Sequence, residues 1–66
     1  MRLTVNGEER SFEGVPDIAA LVRALGLDTR KLAVERNLEI VPRGTLAEVC
    51  VEDGDDFEIV HFVGGG

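Results

Sequence analysis

Cysteine and histidine are almost missing from this chain: Cys50 and His61 stand alone among 66 residues. A single cysteine excludes an internal disulfide and fits a reducing compartment. The two residues fall on different expected strands, without the Ser, Asn or Asp neighbours that a nucleophile and base pair needs. Basic side chains are also scarce, 7 against 13 acidic, and the net charge of −6 argues against a grip on phosphate backbones. No nucleic-acid partner is expected. No apolar run approaches the ~18 residues of a membrane span. Met1 to Val5 alternates where a signal peptide would be continuously apolar, so no membrane association is expected and the cytoplasm is the expected location. No glycine-rich loop opens a helix, which removes a phosphate cradle. The acidic stretch Glu52-Asp53-Gly54-Asp55-Asp56 lacks the spaced oxygens of a calcium loop; it reads as a solvated turn, and no metal site is expected.

What is present fits one small domain. At this length folding buries about 60% of the unfolded chain's surface. A cavity of ~300 Å³ with a packed shell is hard to accommodate, so function is expected at a surface or an end. Met1, Leu3 and Val5 alternate with polar residues, the period of a half-buried strand. Asn6-Gly7 then predicts a type I′ hairpin turn, returning Glu8 to Glu13 as a second strand with Phe12 as its core anchor. Pro16 suits the first helical position and Asp17 the positive end of a helix dipole. Ile18, Leu21, Val22 and Leu25 form one apolar stripe, and Gly26 occupies the place of a left-handed C-cap.

Beyond the helix, Leu32 and Val34 predict a third strand. A polar turn at Arg36-Asn37, a brief extended piece from Glu39 to Val41 and a stop at Pro42 follow. Gly44 to Glu48 is compatible with one helical turn, and Val49 and Val51 return to alternation. Asp53-Gly54-Asp55 is a turn, and Phe57 to Val63 the last strand. This order predicts an α+β β-grasp: a mixed sheet of four to five strands packed on one main helix, first and last strands parallel at its centre. The domain is expected to span residues 1–63, with 64–66 as a flexible glycine tail.

Two faces of the last strand then separate. If Phe57 and Ile59 point inward, Glu58, Val60 and Phe62 point outward, with Ala33 on the neighbouring strand leaving low relief beside them. An apolar strip on so small a protein is a candidate contact site, the alternative being that Phe62 folds over the sheet edge. His61 shares the parity of Phe57 and Ile59 and is expected to leave the core at the strand's end; Cys50 is expected as a strand-surface or semi-buried thiol, with nothing basic beside it to make it reactive.

The sequence closes on Val63-Gly64-Gly65-Gly66. Glycine loses more conformational freedom on ordering than any other residue, so three in a row make poor packing material. They suit a thread whose backbone must be approached closely, the other reading being an ordinary frayed terminus. Such a thread is expected to carry the Gly66 carboxylate about 10 Å from the domain when extended.

On these residues the chain resembles the sulfur carrier proteins of the ubiquitin-like β-grasp group, most closely the ThiS type of thiamin (thiazole) biosynthesis. Glu58 to Gly66 resembles that family's last strand and tail, Val34-Glu35-Arg36-Asn37 with Glu39 to Arg43 its mid-chain segment, and Asp53-Gly54-Asp55 its last turn. The resemblance implies a carrier and no enzyme, with Gly66 as the reactive terminus, Gly64 and Gly65 as its tether, and Val60, Phe62, Val63 and Ala33 as partner-binding residues. It implies a ubiquitin-activating-like enzyme that uses ATP and magnesium to adenylate the carboxylate, with no cofactor bound to the carrier. It further implies a persulfide sulfur donor, a Gly66 thiocarboxylate, and thiazole synthase as recipient. Carriers for molybdopterin or tRNA thiolation share such a tail. The His61-Phe62-Val63 lead-in and the short length favour the thiazole pathway, while a ubiquitin-like modifier and a non-covalent interaction module are the readings from other classes.

Overall fold

The computed structural model of the protein describes residues 1–62. Val63 and the expected tail, Gly64 to Gly66, lie outside them. Strands β1 (Arg2–Val5) and β2 (Glu8–Ser11) form a hairpin, helix α1 (Ile18–Ala24) follows, then β3 (Leu32–Arg36), β4 (Glu39–Val41) and β5 (Asp56–His61). The sheet runs β2-β1-β5-β3-β4. β1 pairs with β5 in parallel, and the other three pairings are antiparallel. This is the expected β-grasp order, with the first and last strands adjacent and β5 central.

Local chemistry explains most of the elements. Asn6 and Gly7 both take positive φ, 50° and 82°, the type I′ geometry that matches the twist of the strands it joins. Asp17 caps α1, its carboxylate accepting from the Ala20 N–H at 2.8 Å. It is therefore the N-cap, and Pro16 stands outside the helix, not at its first position. At the other end the Gly26 N–H donates to the Arg23 carbonyl and the Leu27 N–H to the Val22 carbonyl. With Gly26 at φ 78°, this is a Schellman ending closed by the apolar pair Val22 and Leu27.

Ile18, Leu21 and Val22 pack against Leu3, Val5, Leu32, Val34, Phe57 and Ile59 on one sheet face. Each such side chain contributes about 1.5–3 kcal/mol on burial. Phe12 joins this core although β2 ends one residue before it. Met1, expected inward by alternation, is exposed, because β1 begins at Arg2.

Val49 and Val51 do not form a strand. Their segment turns to the entrance of α1: the Ile18 N–H donates to the Val49 carbonyl, the Ala19 N–H to that of Leu46, and the Val51 N–H to that of Pro16. Backbone groups that a helix cannot satisfy within its first turn are met by this loop, and the valines still face the core. Cys50, between them, is exposed in an isolated bridge to Asp17, so its thiol lies off the sheet. The helical turn expected near Gly44 is a 3₁₀ turn at Arg43–Thr45, and a second one, Thr29–Lys31, precedes β3.

Candidate functional site

The central strand β5 carries both ends of the site. At its start, Asp55 is only 6% exposed, so the acidic stretch is not simply a solvated turn. Its carboxylate accepts from Arg36 Nε at 2.9 Å, Asn37 Nδ2 at 3.1 Å and the Glu52 N–H at 2.9 Å. Burial pushes the Asp55 carboxyl up, but these hydrogen bonds and the Arg36 charge outweigh it and hold the group below its ordinary value. Asn37 completes the lock by accepting from the Asp56 N–H at 3.0 Å. Among the described residues no buried side-chain polar atom lacks a partner. A tight turn was legible at Asp53-Gly54-Asp55; a lone carboxylate buried by an arginine about twenty positions away was not.

Midway along, Asn6 has a second task that its turn propensity did not announce. Its side chain accepts from the Ile59 N–H at 2.7 Å and donates to the Ile59 carbonyl at 3.3 Å. The parallel ladder between β1 and β5 pairs only Thr4 with Asp56 and Val5 with Phe57. Asn6 extends it by mimicking a backbone amide.

Toward the end of β5 the chemistry turns outward. Phe57 and Ile59 are buried, while Val60 is 60% and Phe62 49% exposed, so the two-residue period places Val60 and Phe62 on the face away from α1. Ala33 lies directly opposite Val60 and is half-buried. Ile40 belongs to the same face, 78% exposed and opposite Glu35. Sequence reading missed it because three residues of alternation do not show which face of an edge strand is wet. Glu35 in turn sits opposite Glu58. Neither forms an ion pair among the described residues, and like charges in that position repel. The strip is thus apolar with an acidic centre row.

The last described residues are held by neighbours. His61 pairs with Leu32 and is exposed, as its place at the strand's end implied. The Phe62 N–H donates to the Lys31 carbonyl at 2.7 Å, one step beyond the strand. Arg43 stacks over the Phe62 ring at 5.5 Å from its centroid and donates to the Arg30 carbonyl. The 3₁₀ turn bearing both carbonyls is capped by Asp28, which accepts from the Arg30 N–H at 2.9 Å and from its guanidinium at 3.0 and 3.1 Å. These bonds hold the Asp28 carboxyl down at about 2.

No group of three or more His, Cys, Asp or Glu among the described residues is placed to hold a metal ion. No helix there is long and apolar enough to cross a membrane. A shallow, open groove of about 240 Å³ lies beside Asn6, Glu8, Arg10 and Leu27.

A five-stranded mixed sheet folded around one helix, its central strand running out under an exposed apolar strip, defines a ubiquitin-like β-grasp domain. Among solved structures, the crystal structure of the thiamine biosynthesis protein ThiS from Geobacter metallireducens superposes with a TM-score of 0.82 at 35% identity, covering 100% of both chains. The ThiS family profile matches residues 3–66, and the sulfur carrier protein ThiS of Bacillus subtilis is 38% identical over 97% of this chain and 98% of its own length. The chain belongs to the ThiS family. It is also 58% identical to a thiazole synthase of Paramagnetospirillum magneticum and 41% identical to one of Magnetococcus marinus. The chain spans 20% of the length of each of those synthases.

Proposed function

We propose that the chain is a sulfur carrier of thiamin biosynthesis whose working group is the Gly66 carboxylate. The observation that carries this reading is that the family match runs through residue 66, so the glycines belong to the shared pattern and are not an appendage to it. A carboxylate is a poor electrophile. A separate adenylating enzyme, using ATP and magnesium, joins it to AMP with loss of pyrophosphate. The terminal sulfur of a persulfide then attacks the acyl carbon and expels AMP, and a thiol cleaves the resulting S–S bond to leave a Gly66 thiocarboxylate. Nothing in this sequence of steps asks the carrier for an acid, a base or a metal.

The Val60, Phe62 and Ala33 strip, joined by Ile40, is the proposed docking face. Its acidic row at Glu35 and Glu58 suits a partner whose apolar patch is bordered by basic side chains. Val63, expected with this strip, lies outside the described residues, as do Gly64 and Gly65, the proposed tether. The recipient is a thiazole synthase, a reading supported by the two synthases that contain a counterpart of this chain.

Intact-mass and tail-peptide analysis of protein purified from cells, and of protein incubated with the adenylating enzyme, ATP and a persulfide source, tests the proposal. A gain equal to one oxygen-to-sulfur exchange confined to the peptide ending at Gly66 is expected. Deleting Gly66, or adding one residue after it, should abolish the gain without moving the thermal midpoint. A tail that stays an ordinary carboxylate, or one joined through an isopeptide bond to other polypeptides, overturns it; the latter outcome makes the protein a modifier.

A further inference from the structure

At the Phe62 end of β5, two consecutive carbonyls hold one aromatic residue by two routes. The Lys31 carbonyl takes the Phe62 N–H at 2.7 Å, and the Arg30 carbonyl takes the guanidinium of Arg43, which lies over the Phe62 ring. A half-exposed ring on a sheet face has ordinarily more than one staggered rotamer open to it. Here one side of it is occupied. Arg43 itself enters from a constrained backbone, since Pro42 precedes it at φ −57° and the Thr45 N–H and hydroxyl both return to the Pro42 carbonyl.

Charge neutralisation does not account for this placement. Arg2, Arg30 and Arg36 each face a carboxylate, whereas Arg43 faces none among the described residues. It lies over a ring with one part of its guanidinium and donates to a carbonyl with another, a pair of contacts that a forked cation makes more readily than a compact ammonium. The cost of ordering a long side chain, up to about 2 kcal/mol, is accepted at the residue that leads into Val63 and the glycines.

We infer that Arg43 is a positioning residue: by fixing Phe62 it sets the point from which the chain continues to Gly66, and so the approach of the carboxylate to the adenylating site. This rests on the carrier reading. It joins two tasks on adjacent surface, docking by the apolar strip and delivery from the arginine-held strand end, with Phe62 common to both.

The test uses the full chain as wild type, Arg43→Ala and Arg43→Lys. Amide hydrogen exchange followed by NMR should show Phe62 losing protection in both variants, with the Ile59 amide, bonded to Asn6, unchanged as internal reference. In pyrophosphate exchange with the adenylating enzyme, kcat should fall about two- to fivefold in Arg43→Ala, the range expected for loss of an exposed cation–π contact. The KM for the carrier should rise far less than in Phe62→Ala, which removes the docking ring itself, and Arg43→Lys should recover little. An unchanged kcat in Arg43→Ala, full recovery in Arg43→Lys, or loss of protection at Ile59 as well overturns the positioning role. A wild-type chain that supports no exchange at all instead removes the carrier reading, and the positioning role with it.

Discussion

The two ends of β5 solve the same problem with opposite materials. At the Asp55 end a strand is anchored by a buried carboxylate that accepts from Arg36, Asn37 and the Glu52 N–H. At the Phe62 end it is anchored by one backbone bond and a ring lying under an exposed arginine. Breaking a buried, hydrogen-bonded charge pair leaves a desolvated partner and costs several kcal/mol, whereas a surface cation–π contact contributes about 0.5–1 kcal/mol. Stability is therefore concentrated where the strand begins, and presentation where it ends. Under the carrier function proposed above, that division lets residues at the delivery end change without unfolding the domain.

The sharpest way to break the comparison is Asp55→Ala. It removes the shared acceptor of Arg36 Nε, Asn37 Nδ2 and the Glu52 N–H together and leaves Arg36 only its exposed pairing with Glu52, and a loss of about 3 kcal/mol in chemical denaturation is expected, a large share of the 5–15 kcal/mol typical of a domain. A loss below about 1 kcal/mol would place the anchor elsewhere. At the opposite end, Phe62→Ala should lower affinity for the adenylating enzyme about tenfold or more, as removal of an aromatic anchor does, while costing under about 1 kcal/mol in folding because the ring is half exposed. Equal affinity of mutant and wild type in titration calorimetry would dismiss the strip.

Acid offers a milder version of the first experiment. The folded-state pKa of Asp55 is depressed, so its contribution is complete above the ordinary carboxylate value and is lost as pH falls through the folded one. The expected result is a denaturation midpoint flat near neutrality that declines below about pH 4, with the decline reduced in Asp55→Asn. The smallest effect concerns the outward face. Replacing Glu58 by Gln removes a like-charge opposition with Glu35 and should raise stability by a few tenths of a kcal/mol, while weakening docking most at low salt. Docking that strengthens instead would mean that the partner's rim is not basic.

Several features could be read from neighbours in the chain because their causes are local. The Asn6-Gly7 turn, the apolar stripe of α1, the Gly26 ending and the inward parity of Phe57 and Ile59 each need only a few residues to be recognised. Val49 to Val51 misled for the same reason: alternation signals two faces, and a loop wedged against a helix entrance also has two. Leu38 shows the limit most clearly. It is 85% exposed at φ 71°, a conformation that a leucine seldom adopts, and only the pairing of β3 with β4 across Asn37 and Leu38 demands it.

From the amino acids alone came the kind of sheet, its helix, the strand that leads to the glycines and the family they resemble, since periodicity and turn chemistry act over a handful of residues. Tertiary structure alone decided that Asp55 is an interior anchor, that Asn6 stands in for backbone on Ile59, that Ile40 joins the outer strip, and that Arg43 meets Phe62. Each of those contacts joins residues 18 to 53 positions apart or lies across a sheet, and burial, register and charge pairing over such distances exist only once the chain has folded.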